Sequence, residues 1–182
     1  MKRVITIAFA LFLSAQLFGQ SAPSRADIRV GAGFSLLGSG DMQAQMIENE
    51  LNYRLNNYFA TSVGLGFGRS NRGVYETASF LQGNGSLFFS PFKNNGRSDF
   101  RIGGGLTYYQ VSDAYESSRF SNGQDIQSEY TFDQRSSLGF IVAIEQTFSL
   151  GDRGLLGIKA FTQPYMNGDI NSGVLLKLGV RL

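Results

Sequence analysis

The sequence predicts an all-β fold: a closed, antiparallel, up-and-down barrel of eight strands that follows a removable N-terminal segment. Three observations predict it. The chain opens like an exported protein. No later apolar run has the length of a spanning helix. Period-2 alternation recurs between clusters of Gly, Asn, Asp and Ser.

The opening is Met1-Lys2-Arg3, a short basic head, followed by the apolar run Val4 to Leu13 and then by Ser14, Ala15, Gln16 and Gly19. That is the order of a cleaved signal peptide. A membrane-spanning helix needs ~20 apolar residues, about twice this run. Cleavage after Gly19 gives two parts, a signal peptide over residues 1–19 and a barrel domain over residues 20–182. The full chain has 16 Lys+Arg and 14 Asp+Glu, and Lys2 and Arg3 leave with the signal, so 14 cations face 14 acids. The apparent basicity belongs to the targeting segment and gives no argument for nucleic acid. The absence of Cys excludes a disulfide framework although export would have permitted one.

Strands are expected at about 26–38, 42–55, 58–69, 78–91, 99–112, 136–150, 154–165 and 172–182. Each reaches the ~9–11 residues that a tilted strand needs to cross a bilayer. One face of these strands is uncharged throughout. It runs from Ile28, Val30 and Phe34 in the first strand to Leu176, Leu178 and Val180 in the last. The opposite face carries Arg29, Glu48, Glu50, Arg54, Arg101, Glu145, Lys159, Lys177 and Arg181, interspersed with glycines such as Gly31, Gly66, Gly103, Gly139 and Gly179.

Alternation alone does not say which face points out. A soluble carrier barrel would turn the apolar face inward around a ligand, whereas a transmembrane barrel turns it toward lipid. Three features select the transmembrane reading. Phe59 and Phe67, Phe100 and Tyr108, and Phe140 and Phe148 are pairs on the apolar face, each eight residues apart. Eight residues rise ~26 Å, or ~20 Å in height after tilting, close to the spacing of two aromatic girdles. Phe34 joins one girdle, and Tyr53 and Phe89 the other. Next, glycines mixed with long charged side chains suit the narrow interior of an eight-stranded barrel, while on a water-facing strand they would only weaken the sheet. Last, short connections (Asn56-Asn57; Gly151 to Gly154) alternate with longer ones (70–77; 113–135; 166–171). Residues 92–98 are intermediate, and Gly38 to Asp41 is an exception among the outer connections. Short periplasmic turns and longer outer loops are expected of such barrels.

The signal, the stretches NYRLNNYFATSVGLGFG and DFRIGGGLTYY, and the terminal GVLLKLGVRL together resemble small eight-stranded outer-membrane barrels of the OmpA/OmpX kind, within the broad outer membrane β-barrel protein family. The resemblance covers the whole mature chain. It implies an integral outer-membrane location, contact with outer-membrane lipid, and delivery by the barrel-insertion machinery. The last residue is Leu182, where such barrels usually end in an aromatic residue read by that machinery. This departure bears on assembly efficiency more than on fold.

Catalysis is disfavoured. Resemblance to the palmitoyl-transferring, deacylating and proteolytic membrane barrels would imply a histidine acting with Ser, Asp or Glu, and this chain has no His. Glu48, Glu50, Glu145 and Lys159 read instead as paired charges filling the lumen. Asp113, Glu116, Asp125, Glu129 and Asp133 in the longest loop match no calcium-loop spacing, and GLGFG and GGG fall within strands, so neither reads as a phosphate loop. No cofactor and no metal are expected.

The expected function is therefore non-enzymatic: a monomeric, plugged barrel that is structural or contacts a surface partner through residues 113–135, read as a polar, mobile loop. The alternative is a narrow transporter of small or hydrophobic compounds. A first hairpin with Ser39 opposite Gly40 sets Arg29 opposite Glu50. A turn centred on Gly168 sets Lys159 beside Lys177. The expected lumenal network is Arg29–Glu50 plus Lys159 and Lys177 with Glu145 and Glu48.

Overall fold

Eight strands pair antiparallel with their neighbours in chain order, and the last pairs with the first, closing a barrel. A computed structural model of the chain describes residues 25–38, 42–71, 76–93, 97–121 and 126–182. The expected signal peptide, residues 1–19, lies outside them. The strands are β1 (Ala26–Gly38), β2 (Met42–Arg54), β3 (Phe59–Asn71), β4 (Glu76–Phe89), β5 (Ser98–Ser121), β6 (Ile126–Leu150), β7 (Gly154–Pro164) and β8 (Ile170–Arg181).

Closure joins the last strand to the first, so the sheet has no free edge strand around the barrel. The apolar face points outward. Val63 is 63% exposed and Leu106 is 64% exposed, while Glu48, Glu50 and Arg101 behind them are buried. In water such an exterior would be untenable, and in lipid it is the required surface. The chain is a transmembrane β-barrel.

The first hairpin has the expected register, with Arg29 opposite Glu50 and Leu37 opposite Met42. The last hairpin does not. Lys159 pairs with Leu175, and Lys177 with Gly157, two residues away from the expected alignment. The reason is the turn, where Met166, Asn167 and Gly168 form a three-residue loop closed by Tyr165 N–H donating to Asp169 O at 2.9 Å. Gly168 takes φ +91°. In such loops the left-handed residue is the last, so the centre falls on Asn167.

The second correction concerns residues 113–135. They are not a loop. β5 and β6 are 24 and 25 residues long, and their ladder runs from Ser98↔Phe148 to Ser121↔Ile126 with one irregularity at Glu116/Ser118. Only the connection at 122–125 lies outside the described residues. The inequality between the two ends of the barrel is thus one of strand length, not of loop length. Polar residues on both faces conceal strands that have left the membrane, because neither face has to be apolar there.

The inward glycines make room for large neighbours. Gly68 lies opposite Phe80 and Gly103 opposite Phe88, and a Cβ at either would collide with the ring. Gly173 lies opposite Phe161, where a Cβ would come within 2.9 Å of Cζ. Each aromatic ring lies over the gap left by its cross-strand glycine, so a narrow lumen holds both wide side chains and a closed wall.

Candidate functional site: the filled lumen and its two mouths

The middle of the lumen is a layer of eight charges from six strands. Asp27, Glu48, Glu50 and Glu145 oppose Arg29, Arg101, Lys159 and Lys177. Lys159 Nζ lies 2.8 Å from Glu48 and 3.0 Å from Glu50, and Lys177 Nζ lies 2.6 Å from Glu50 and 3.1 Å from Glu48. Arg101 bridges Glu50 at 3.0 Å and Glu145 at 2.9 Å. Arg29 pairs with Glu145 and, at 2.6 Å, with Asp27. Its cross-strand neighbour Glu50 is not its partner. The guanidinium reaches across the lumen instead, because Glu50 is already held by three cations. Glu145 is opposite Lys159 in the ladder, yet its ion pairs are to Arg29, Arg101 and, at 3.4 Å, Lys177. Four acids and four bases balance, which makes such burial tolerable.

Toward the outer end an amide layer follows. Asn84 accepts from Thr107 at 2.7 Å and from Gln163 at 2.9 Å, and Asn171 donates to Gln82 at 2.9 Å. Beyond it lies an apolar plug of Met46, Phe80, Val111, Tyr109 and Tyr165, whose two tyrosine ring centroids are 3.9 Å apart. Phe88, on the other side of the charge layer, sits under Arg101 with the guanidinium carbon 4.1 Å from the ring centroid. Sequence reasoning named the charges but missed these inward aromatics. The signal was available: each occupies the charged face's phase, and Phe80, Phe88 and Tyr165 lie across from a glycine.

At the outer mouth, Arg135 pairs with Asp113 and donates to Asp169 at 2.8 Å; Tyr109 and, at 3.0 Å, Asn167 also donate to Asp169. Burial pushes the Asp169 carboxyl up, but hydrogen bonds from Tyr109 and Arg135 outweigh it and hold the group below its ordinary range. Of the acids considered for a hard-cation site, Asp113 and Asp133 face each other across the hairpin, and Asp113 is committed to Arg135. Asp125 lies outside the described residues. No group of three metal-ligating side chains occurs among the described residues.

The nine girdle aromatics all project outward. Phe34, Phe67, Tyr108 and Phe140 are exposed, as are Tyr53, Phe59, Phe89 and Phe148, and Phe100 is half-exposed. Phe59 stacks obliquely on Phe89 at 5.4 Å, and Phe92, not anticipated, lies 6.2 Å from Phe100. Arg54 and Arg181 are half-buried at the mouth that bears the chain termini.

No family model and no curated protein matches this sequence. Solved structures do. Neisserial surface protein A aligns with TM-score 0.65 and 11% identity over 89% of this chain and all of that one. Ail, the attachment invasion locus protein of Yersinia pestis, gives 0.61 and 12% over 88% and 100%. The outer membrane protein OprG from Pseudomonas aeruginosa gives 0.56 and 11% over 86% and 96%. At such identities the likeness is one of fold, and that fold is the small outer-membrane barrel.

Proposed function

We infer that this outer-membrane barrel passes no solute through its centre and works at its outer surface, where the β5–β6 hairpin offers a contact for a partner outside the cell. The observation that carries this reading is the reach of β6. Its ladder with β7 stops at Val142↔Thr162, with one isolated bridge at Gly139↔Tyr165, whereas its ladder with β5 continues to Ile126. The hairpin therefore leaves the barrel wall as a two-stranded ribbon, with Tyr130 and Phe132 exposed on it. Such an edge and such side chains suit protein contact. Ail, of the same fold, is named for attachment and invasion.

The closed centre is supported by the burial of Glu145, Lys159 and Lys177, none more than 1% exposed. No catalytic step is assigned, since the lumenal acids and lysines are engaged with one another and the chain has no His.

Two measurements test the reading. Planar-bilayer recording on pure monomer should show no stable porin-sized conductance. Cells displaying the barrel should adhere to protein- or glycan-coated surfaces better than cells displaying a hairpin-shortened version. A reproducible large conductance overturns the closed centre, and equal adhesion overturns the hairpin's role. The narrow-transporter reading has one observation in its favour, a lipid-facing groove of about 640 Å³ along β1, β7 and β8 beside Phe34, Ile158 and Leu176. Uptake of small hydrophobic compounds into liposomes would support it.

A further inference from the structure

We propose that the lumen mouth bearing the chain termini is a binding site for a phosphate group, held by Arg54 and Arg181 together with Asn52 and Ser90. Strand pairing sets the geometry. Arg181 is opposite Asp27 across β8 and β1, Asp27 opposite Asn52, and Asn52 opposite Ser62, one lateral row across four strands. Arg54 is the next inward position below Asn52 on β2, within electrostatic reach of Arg181, Asp99, Asp27 and Arg29.

The polar groups here are not closed on one another as those of the charge layer are. Asn52 is 2% exposed and Ser90 is 1% exposed, yet neither amide atom of Asn52 nor Ser90 Oγ has a hydrogen-bond partner, and Arg181, whose Nη atoms donate to Ser149 Oγ at 2.5 Å and to Asp152 O at 3.5 Å, keeps its Nε unpaired. Buried polar atoms without partners call for a ligand, ion or water. An amide N–H, a hydroxyl and guanidinium N–H groups are donors, and two guanidinium groups match the oxygens of phosphate. Nearby acids do not cancel them. Asp27 is engaged by Arg29, leaving Asp99, whose Oδ1 is also buried and without a partner. That acceptor suits the O–H of a hydrogen phosphate. A sulfate has no such proton to offer. Exposed Arg25, Lys93, Arg97 and Arg153 surround the same mouth against Asp152, a field that concentrates anions there.

The test uses the full barrel refolded in uncharged detergent at neutral pH. Inorganic phosphate should raise the unfolding midpoint above that in chloride of equal ionic strength, since a ligand of the folded state alone stabilises it. Sulfate should raise it less. Arg54→Gln and Arg181→Gln should each weaken the response roughly tenfold, the loss of one charge-assisted contact. Asp99→Asn should abolish the preference for phosphate over sulfate, and Arg135→Gln at the opposite mouth should leave the size of the phosphate response unchanged whatever it does to the midpoint in chloride. If the arginine variants fail to fold, broadening of the phosphate ³¹P resonance by the native barrel decides. In vesicles, a midpoint higher in phosphatidylglycerol than in phosphatidylcholine, and competed by free phosphate, assigns the site to a headgroup; a response to free phosphate alone assigns it to a soluble ligand. Identical behaviour in phosphate and chloride without ³¹P broadening, together with no lipid effect, or a phosphate response surviving in Arg54→Gln/Arg181→Gln, overturns the proposal and leaves those atoms to water.

Discussion

Lys159 and Lys177 converge on Glu48 and Glu50 although their Cα positions are two residues out of step across β7 and β8. Long, flexible stems allow this, so ladder neighbours and ion-pair partners need not coincide. The consequence is measurable. A double-mutant cycle on Glu48→Gln and Lys159→Met, read by urea unfolding in lipid vesicles, should give a coupling of about 1–3 kcal/mol, typical of groups in direct contact. The same cycle on Glu145→Gln and Lys159→Met, ladder neighbours without an ion pair, should give less. The reverse order would mean that the charges pair along the ladder. At the outer mouth, Asp169 titrates below its ordinary range because Tyr109 and Arg135 donate to it. A depressed carboxyl stabilises the folded state above the unfolded pKa of ~3.9 and loses that contribution as pH falls through the lower folded value. The protection of the Met166 and Asn167 amides relative to intrinsic exchange at the same pH should therefore fall on acidification below pH ~4, since they donate to Leu138 and Ser137 across the β6–β7 gap. Asp169→Asn should show low protection at every pH.

At the scale of the element, the strands divide into a part whose residues are dictated by lipid and a part that is not. Gly85 and Gly103 show the difference. Gly85 faces outward with nothing within 4 Å of an added methyl, whereas a methyl at Gly103 would strike the Phe88 ring. Gly85→Ala should leave stability nearly unchanged. Gly103→Ala should destabilise by about 1–3 kcal/mol, the usual cost of overpacking, and Phe88→Leu should recover part of it; unfolding midpoints of the three variants check this. The same division explains what could be read from the sequence. Uncharged and mostly apolar residues at every second position from Phe59 to Phe67 or Leu138 to Phe148 leave little freedom, since a one-residue slip would place Arg101 or Glu145 in lipid. Past Ser112 and Ser136 the constraint ends. Asp113, Asp133 and Gln134 look like loop residues although their backbones are in a ladder. The inward phase of the layer's charges was legible, but Asp27 was not picked out, and Arg54 and Arg181, on the same face, lie at the mouth and make no ion pair in the layer among the described residues. The layer's pairing was not legible, because a cluster of eight mutually reachable charges has many neutral arrangements, and side-chain reach across the lumen selects among them.

For the whole molecule, the closed ring of strands and the projecting ribbon meet different demands. The ring is held by eight ladders, outward-facing aromatics and a balanced lumen, and its β5–β6 part is complete by the level where Asp113, Arg135 and Asp169 meet. The ribbon beyond that level has neither lipid around it nor a lumen to fill. Folding of the ring should therefore be independent of the ribbon. Ala114 and Phe132 are ladder partners, so replacing residues 115–131 by an Asn-Gly turn joins them without changing register, and that dipeptide favours the tight turn such a hairpin needs. The shorter connection also lowers the entropic cost of closing the ring. The shortened chain is expected to insert, to keep heat-modifiable gel mobility, and to unfold at a midpoint close to that of the full chain, while losing the adhesion assigned to the hairpin. Should it fail to insert, the ribbon would be needed to nucleate the β5–β6 pair, and the separation of a membrane-bound ring from a surface-facing ribbon would not hold.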